Sequence, residues 1–295
     1  QELQQHIPAG KNVLFAHLMA GGVPRAKIIM PLMNRSLKGS GDRFLSSEKF
    51  WNTSLGQLCS LSFNEVSAET FVTLVNESSA IREQIQKNGG KVSYVAYGYH
   101  GTEVLVGQNY LWQTYSPYLQ GWAKMRLENY SREFSHRGIK TCVYNCPEIL
   151  TNSSAIFSGV EVSLYPLLGA LLKEGSQSEK AKTTVNECLS QLKNNANVED
   201  VLNYTKTYLT SEAIRSHCEF DKWPQHNGQE QLEKMLAASD YLIEMHNDPK
   251  QLITFPLSEI VFEACGKIIL ADSPQPESPV SWINHDVIAK IFVQS

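Results

Sequence analysis

Short apolar runs alternate with longer amphipathic segments along the first half of this sequence, and glycine stands where one gives way to the next. Three runs have the length and composition of buried strands, at 13–19, 91–98 and 139–145. Three segments carry apolar residues at helical spacing, at 24–37, 68–88 and 116–137. Because parallel strands need a long crossover between them, this order predicts an α/β protein with a parallel sheet flanked by helices.

Beyond residue 174 the alternation stops and most segments have helical character. Helices are predicted at 184–194, 198–216 and 230–246, and two further packed elements at 258–269 and 280–293. The sequence therefore predicts a sheet-bearing core at 1–175 and a mainly helical C-terminal region at 176–295 that packs on it. Within the core, Ser47 is predicted to cap a helix that carries Phe50, Trp51, Leu55 and Leu58 on adjacent faces.

Composition excludes several classes of protein. The 26 basic and 30 acidic residues give a formal charge of −4, which argues against an extended nucleic-acid surface. No apolar run approaches the roughly 18 to 20 residues of a membrane span, and no secretory signal opens the chain. The six cysteines are scattered without metal-ligand spacing, so reduced thiols, no metal site and a cytoplasmic location are expected.

The segment 97–124 reads YGYHGTEVLVGQNYLWQTYSPYLQGWAK and joins a predicted strand to a predicted helix. Ligands of parallel sheets bind at the carboxyl ends of strands, so this junction is a candidate site. It contains five tyrosines and then Lys124. A tyrosine hydroxyl has an ordinary pKa near 10, and a nearby lysine cation favours its phenolate and eases proton transfer. Tyrosine clusters are also common in hydrogen-bonded cores, so the residues alone leave both interpretations open.

Two motifs in order give this segment a family resemblance. The first is VAYGYHGTE at 95–103, followed by Tyr115 with eight residues between it and Lys124. The second is LTNSSAI at 150–156, after the next predicted strand. Together they resemble the trans-2-enoyl-CoA reductase and enoyl-acyl-carrier-protein reductase family, large relatives of the short-chain dehydrogenases with a Tyr-x8-Lys pair. The run 162–174 is similar to the family's substrate-side helix, and the resemblance extends over about 92–174.

The resemblance implies a Rossmann-like fold and an enzyme of fatty-acid synthesis. Such an enzyme transfers hydride from NADH or NADPH to a 2-enoyl thioester carried by acyl carrier protein or CoA, and the enolate is then protonated. Tyr115 would donate the proton or stabilise the enolate oxygen, and Tyr99 matches a second active-site tyrosine. Lys124 would hold the nicotinamide ribose and bias Tyr115, and Thr151 would bond the cofactor's amide or phosphates. A homo-oligomer is one of the assemblies the sequence allows.

Tyr118 is a rival to Tyr115 as proton donor. It precedes Lys124 by six residues, which at about 100° per residue places the two roughly 120° apart around an ideal helix. Tyr115 precedes the helix and can fold back towards Lys124, so it is the favoured candidate.

A dinucleotide site of this kind needs a glycine-rich turn after its first strand, yet the sequence contains no G-x-G-x-x-G. Gly21 and Gly22 follow a predicted strand but lack the spacing. We expect either that the chain lacks an amino-terminal glycine-rich unit or that Gly21 and Gly22, with Pro24, form an unorthodox phosphate turn.

Two other functions remain in competition. One is a ketone-reducing short-chain dehydrogenase, for which Ser93 is the nearby hydroxyl, and the other is an inactive scaffold or regulatory subunit. Among the histidines, His100 either polarises a carbonyl or is structural, whereas His17, on an apolar strand, is predicted to be a hydrogen-bonded core residue.

Overall fold

A four-stranded parallel sheet forms the centre of the molecule. The computed structural model describes residues 5–19, 26–98, 100–114, 119–151, 159–193, 196–218 and 226–294. The sheet has the order β1-β2-β5-β6, with β1 Val13–His17, β2 Val92–Gly98, β5 Lys140–Asn145 and β6 Val280–Trp282. The three predicted strands are therefore adjacent and parallel, and the predicted α/β class with a parallel sheet is confirmed. The fourth strand is supplied by the C-terminal region and was predicted only as part of a packed element.

Helices cover both faces of this sheet because its strands bury alternate residues on opposite sides. On one face, Tyr94, Ala96 and Val143 pack with Phe71 and Leu127. On the other face, Val95, Cys142 and Tyr144 pack with residues 162–171 and with apolar side chains of the C-terminal helices. The C-terminal helices thus share one core with the sheet, and the division near residue 175 stays a prediction.

The helices before the second strand are more broken than predicted. They are α1 Ala26–Lys38, α2 Ser47–Trp51, α3 Ser54–Asn64, α4 Thr70–Glu77 and α5 Ser79–Lys87, with a π-helical turn at Glu65–Glu69. The long helix predicted at 68–88 is interrupted at Ser78, whose hydroxyl bonds the Leu74 carbonyl and the Tyr94 hydroxyl. A serine that bonds a backbone carbonyl competes with the helix for that acceptor. The helix ends before Gly89, as predicted.

The predicted cap at Ser47 is wrong. Ser46 caps α2 by accepting from the Lys49 backbone N–H, and Thr53 caps α3. The Ser47 hydroxyl instead accepts a hydrogen bond from the Asn227 backbone N–H at 2.8 Å. This tertiary contact occupies the hydroxyl that was expected to cap the helix. The four apolar residues are divided between two helices, and Leu55 and Leu58 are 38% and 45% exposed.

The segment between β2 and the next helix holds a hairpin that the sequence analysis missed. Strands β3 Gly101–Val106 and β4 Asn109–Thr114 pair antiparallel across a turn at Gly107, which has φ 66°. Glycine adopts this left-handed backbone at little cost, and a two-residue turn of this kind joins strands of matching twist. The hairpin leads towards helix α6, Leu119–His136.

The later helices agree with the predicted helical region apart from their boundaries. They are α7 Leu167–Glu174, α8 Glu179–Leu189, α9 Val198–Leu209, α10 Glu212–Arg215, α11 Gln229–Glu244, α12 Thr254–Asp272 and α13 His285–Gln294. The predicted helix at 198–216 is two helices, separated at Thr210 and Ser211. None of the described helices combines the length and apolar character needed to cross a membrane.

Candidate active site

Lys124 is buried at the carboxyl end of the sheet. It lies in the second turn of α6, which packs on β5 and on the π-helical turn. Its side chain is 4% exposed, and Nζ donates a hydrogen bond to the Met19 carbonyl oxygen at 3.4 Å. Met19 follows β1, so the contact ties the lysine to the end of that strand. Burial lowers the pKa of Lys124 to about 8 because the charged form loses its hydration.

His17, the last residue of β1, is held neutral near this lysine. Its Nε2 lies 2.7 Å from the Thr70 hydroxyl, and that hydroxyl donates its proton to the Val66 carbonyl. His17 Nε2 must therefore be the donor to Thr70, which fixes the histidine tautomer. Burial, together with the positive charge of Lys124, lowers the pKa of His17 to about 4. His17 is the hydrogen-bonded core residue that the sequence predicted.

A buried polar cluster lies at the ends of β2 and β5. Glu128, one turn beyond Lys124 on α6, accepts from Asn145 Nδ2 at 2.9 Å and lies 3.2 Å from His100 Nδ1. The backbone N–H of His100 donates to Asn145 Oδ1 at 3.3 Å. All three side chains are fully buried. A Cβ on Gly98 would come within 2.0 Å of Asn145 Oδ1, so the end of β2 has room only for glycine.

Thr151 is exposed in the segment that follows the carboxyl end of β5. The residue before it, Leu150, donates its backbone N–H to the Ser258 hydroxyl at 2.7 Å, which attaches this segment to α12. Thr151 thus follows in sequence the carboxyl end of β5, the edge of a parallel sheet at which ligands bind.

The remaining predicted site residues, Tyr99, Tyr115, Tyr118, Gly21 and Gly22, lie outside the described residues. Their neighbours along the chain are placed. Gly98 and His100 flank Tyr99 and both contact the Asn145 side chain. The Tyr115–Lys124 pairing itself stays a prediction.

Comparison with known proteins identifies the family. The sequence matches the profile of the enoyl-acyl carrier protein reductase FabMG over residues 1–292. This chain belongs to the FabMG family. A solved apo structure described as FabMG, a novel type of enoyl-acyl carrier protein reductase, has 45% sequence identity and a TM-score of 0.93, and the match covers 99% of this chain and 66% of that one.

A second FabMG structure, described as NADH-bound, has 43% identity and a TM-score of 0.79, with 94% of this chain and 68% of that chain covered. This FabMG-family chain thus spans about two thirds of the length of the solved chains it matches. No curated protein matches the sequence.

Glu128 and Asn145 are the residues at this FabMG-family site that sequence reasoning missed. The sequence contains a feature that could have indicated each of these two residues. Glu128 follows Lys124 by four residues and so shares its helix face, next to the buried Leu127. Asn145 is the polar residue that ends an otherwise buried strand. An acidic residue on the buried face of a helix needs a partner, and that requirement was the available clue.

Proposed function

We propose that this chain reduces the 2,3 double bond of a 2-enoyl thioester in fatty-acid synthesis, with NADH as hydride donor and acyl carrier protein as carrier. Membership of the FabMG family carries the proposal. The NADH in a solved relative favours NADH over NADPH, and the family description favours acyl carrier protein over CoA.

The described residues fit a nicotinamide cofactor. Lys124 is a buried cation at the carboxyl end of a parallel sheet, and an ammonium group offers three donors to ribose hydroxyls. Thr151, which follows β5 in sequence, would bond the cofactor's amide or phosphates. Gly21 and Gly22 come two and three residues after Met19, which contacts Lys124, so we propose them for the phosphates. The alternative is a glycine-rich turn within the third of the solved relatives that this chain does not match.

The reduced nicotinamide supplies the hydride that reaches the β-carbon of the thioester. The residues of the chain provide orientation and charge. Lys124 holds the ribose and, as a cation, stabilises negative charge on Tyr115. Tyr115 holds the enolate oxygen or donates the proton that completes the reduction, and Tyr99 is proposed as a second active-site tyrosine.

The ketone-reducing alternative loses its candidate hydroxyl. Ser93 is buried, and its Oγ donates to the Ser273 carbonyl oxygen at 2.7 Å. A hydroxyl engaged in this way inside the core does not bind a substrate ketone. A buried lysine with a lowered pKa is typical of functional sites, which favours an enzyme over an inactive scaffold.

The test is the loss of nicotinamide absorbance with a short 2-enoyl thioester. It compares the 295-residue protein with the product of the complete reading frame. Turnover by the 295 residues locates the dinucleotide site within them, whereas turnover by the longer product alone supports a glycine-rich turn elsewhere. Inactivity of both overturns the proposed function.

The same assay separates the two tyrosines. Tyr115→Phe should lower kcat at least 100-fold, since it removes the hydroxyl at the reacting atoms, and Tyr118→Phe should retain activity within about threefold. The reverse result would assign the proton donor to Tyr118.

A further inference from the structure

The Glu128 carboxylate is fully enclosed at the centre of the polar cluster, one turn along α6 from Lys124. Burying a carboxylate costs several kcal/mol unless hydrogen bonds and charges compensate. Here the compensation comes from Asn145 Nδ2 and from the His100 ring on one oxygen. Arg132 Nη2 lies 3.6 Å from the other oxygen, at the partly exposed side of the cluster.

These contacts join the helix that carries Lys124 to the ends of two strands. Glu128 lies on that helix, Asn145 ends β5, and His100 stands two residues after the end of β2. The backbone N–H of His100 donates to Asn145, and Gly98 approaches the same amide. The cluster therefore sets the distance between the Lys124 helix and the two residues that flank Tyr99 in sequence.

Aromatic side chains enclose the cluster from the hairpin and from β6. The His100 ring packs edge-on against Trp112 with centroids 6.1 Å apart, and it contacts Trp282 at 6.4 Å. Trp112 and Trp282 in turn pack edge to face at 5.0 Å. Rigid neighbours of this kind leave the carboxylate and its partners one arrangement, which suits a group that fixes geometry.

We propose that Glu128 is a positioning residue for the reduction. Through Asn145 and His100 it fixes the two residues on either side of Tyr99 in sequence, Gly98 and His100, relative to the helix that holds Lys124. Its own carboxylate contacts neither substrate nor cofactor. The proposal rests on the proposed function. Misplacing a reacting group by about 1 Å can lower a rate about 100-fold, so loss of the carboxylate is expected to lower kcat.

The test compares Glu128→Leu with Glu128→Gln. Leucine removes both acceptors, whereas glutamine keeps a carbonyl oxygen for the Asn145 amide. We expect Glu128→Leu to lower kcat per folded molecule 10- to 100-fold, with the equilibrium dissociation constant of NADH changed less than threefold. Glu128→Gln should recover kcat to within about threefold of the wild type.

Glu69→Leu is the matched control. Glu69 pairs at 2.5 Å with Arg126, which lies on the Glu128 helix about 200° around the axis from Glu128. Loss of this pair should leave kcat unchanged. Hydrogen exchange gives a readout that does not need activity, because Glu128→Leu should speed exchange in peptides covering 96–104 and Glu69→Leu should not.

Each failure has a separate signature. If the wild type reduces the thioester and Glu128→Leu keeps its kcat, or loses no more than Glu69→Leu, the positioning role is wrong and the proposed function stands. A wild type that binds NADH but reduces no thioester overturns both. If Glu128→Leu does not fold, Asn145→Asp decides, because it replaces the amide donor to Glu128 with a second carboxylate. Unchanged kcat and unchanged exchange over 96–104 in Asn145→Asp would overturn the role.

Discussion

The ammonium group of Lys124 is held where water scarcely reaches it, and such a position lowers the stability of the folded chain. Its pKa falls from an ordinary 10.5 to about 8, a difference equivalent to roughly 3 kcal/mol. The full destabilisation of the folded state is present below pH 8, where Lys124 is protonated in both the folded and the unfolded chain. It disappears as pH rises from 8 to 10.5, where only the unfolded chain keeps the proton.

Lys124→Met should therefore raise the free energy of unfolding at pH 7 by up to roughly 3 kcal/mol while abolishing reduction. Urea unfolding at pH 7 and pH 10 measures the effect. The difference in the free energy of unfolding between Lys124→Met and the wild type should be smaller at pH 10 than at pH 7. A variant less stable than the wild type at pH 7 would show that the ammonium group contributes favourable contacts that outweigh its burial.

The same lowered pKa governs the pH dependence of the reaction. Holding the ribose and stabilising charge on Tyr115 both require protonated Lys124, so kcat/KM for NADH should fall as pH rises through about 8. Initial rates at saturating enoyl thioester between pH 6 and 10 measure the profile. His17, with a pKa near 4, stays neutral across this range and therefore adds no second pH-dependent change to the rate profile. A flat profile to pH 10 would contradict the assigned role of Lys124.

At the residue scale the sequence predicted lysine but not its surroundings. The spacing between Tyr115 and Lys124 can be read directly from the sequence. The periodicity of the apolar residues in 116–137 predicts the helix that carries Lys124. Glu128, His100 and Asn145 are brought together from α6, the end of β2 and the end of β5. Their pairing depends on strand register and helix packing, neither of which local spacing encodes.

Among the secondary-structure elements, the end of β2 has little room for a side chain. Gly98 stands beside Asn145, and a methyl group there would displace the amide that links β5 to α6. Gly98→Ala should lower the free energy of unfolding by about 1 to 3 kcal/mol. Gly266 lies within α12 with open space around it, so Gly266→Ala should raise stability by about 0.5 to 1 kcal/mol.

Urea denaturation of these two glycine variants measures both effects. Opposite signs would support the steric argument. A Gly98→Ala protein as stable as the wild type would mean that Asn145 has another position available, and the assignment of a fixed amide would be wrong.

Elements with strong local signals were predicted best. Strands β1, β2 and β5 are apolar runs flanked by glycine, and each lies within two residues of its predicted bounds. The β3–β4 hairpin was missed although Gly107 separates two alternating runs, because the tyrosines of that segment were interpreted as a binding loop. Helix breaks at Ser78 and Thr210 depend on hydrogen bonds from their side chains to backbone carbonyls. In the sequence, the continuous helical spacing of apolar residues across both positions predicts an unbroken helix instead.

Across the whole molecule, sheet and C-terminal helices share one core. Ile288 of α13 is fully buried in the cluster that contains Val95 and Cys142 of the sheet. Ile288→Ala should lower the free energy of unfolding by about 2 to 5 kcal/mol, whereas Leu270→Ala, at a site 79% exposed, should change it by less than about 0.5 kcal/mol.

Calorimetry of the Ile288→Ala variant also tests the predicted division at residue 175. A shared core should give one transition, shifted as a whole, and the exchange of β2 amides should rise with that of α13. Two transitions, with β2 unaffected, would show that the regions unfold independently.

The architecture was predictable at this scale because the alternation of strands and helices restricts the fold class, and the family resemblance agreed with it. The place of β6 was not predictable. It is a three-residue strand whose partner, β5, is distant in sequence, and such a short segment has no periodicity of its own.

The pairing of β5 with β6 also determines when the sheet can close during synthesis. Val280 is translated 135 residues after Asn145, a delay of roughly 7 to 27 seconds at 5 to 20 residues per second. Throughout that interval the emerging polypeptide carries an apolar strand with one edge unpaired. Such an edge can recruit neighbouring nascent chains on a polysome, so the synthesis of the residues between β5 and β6 is an interval in which this strand is open to intermolecular pairing.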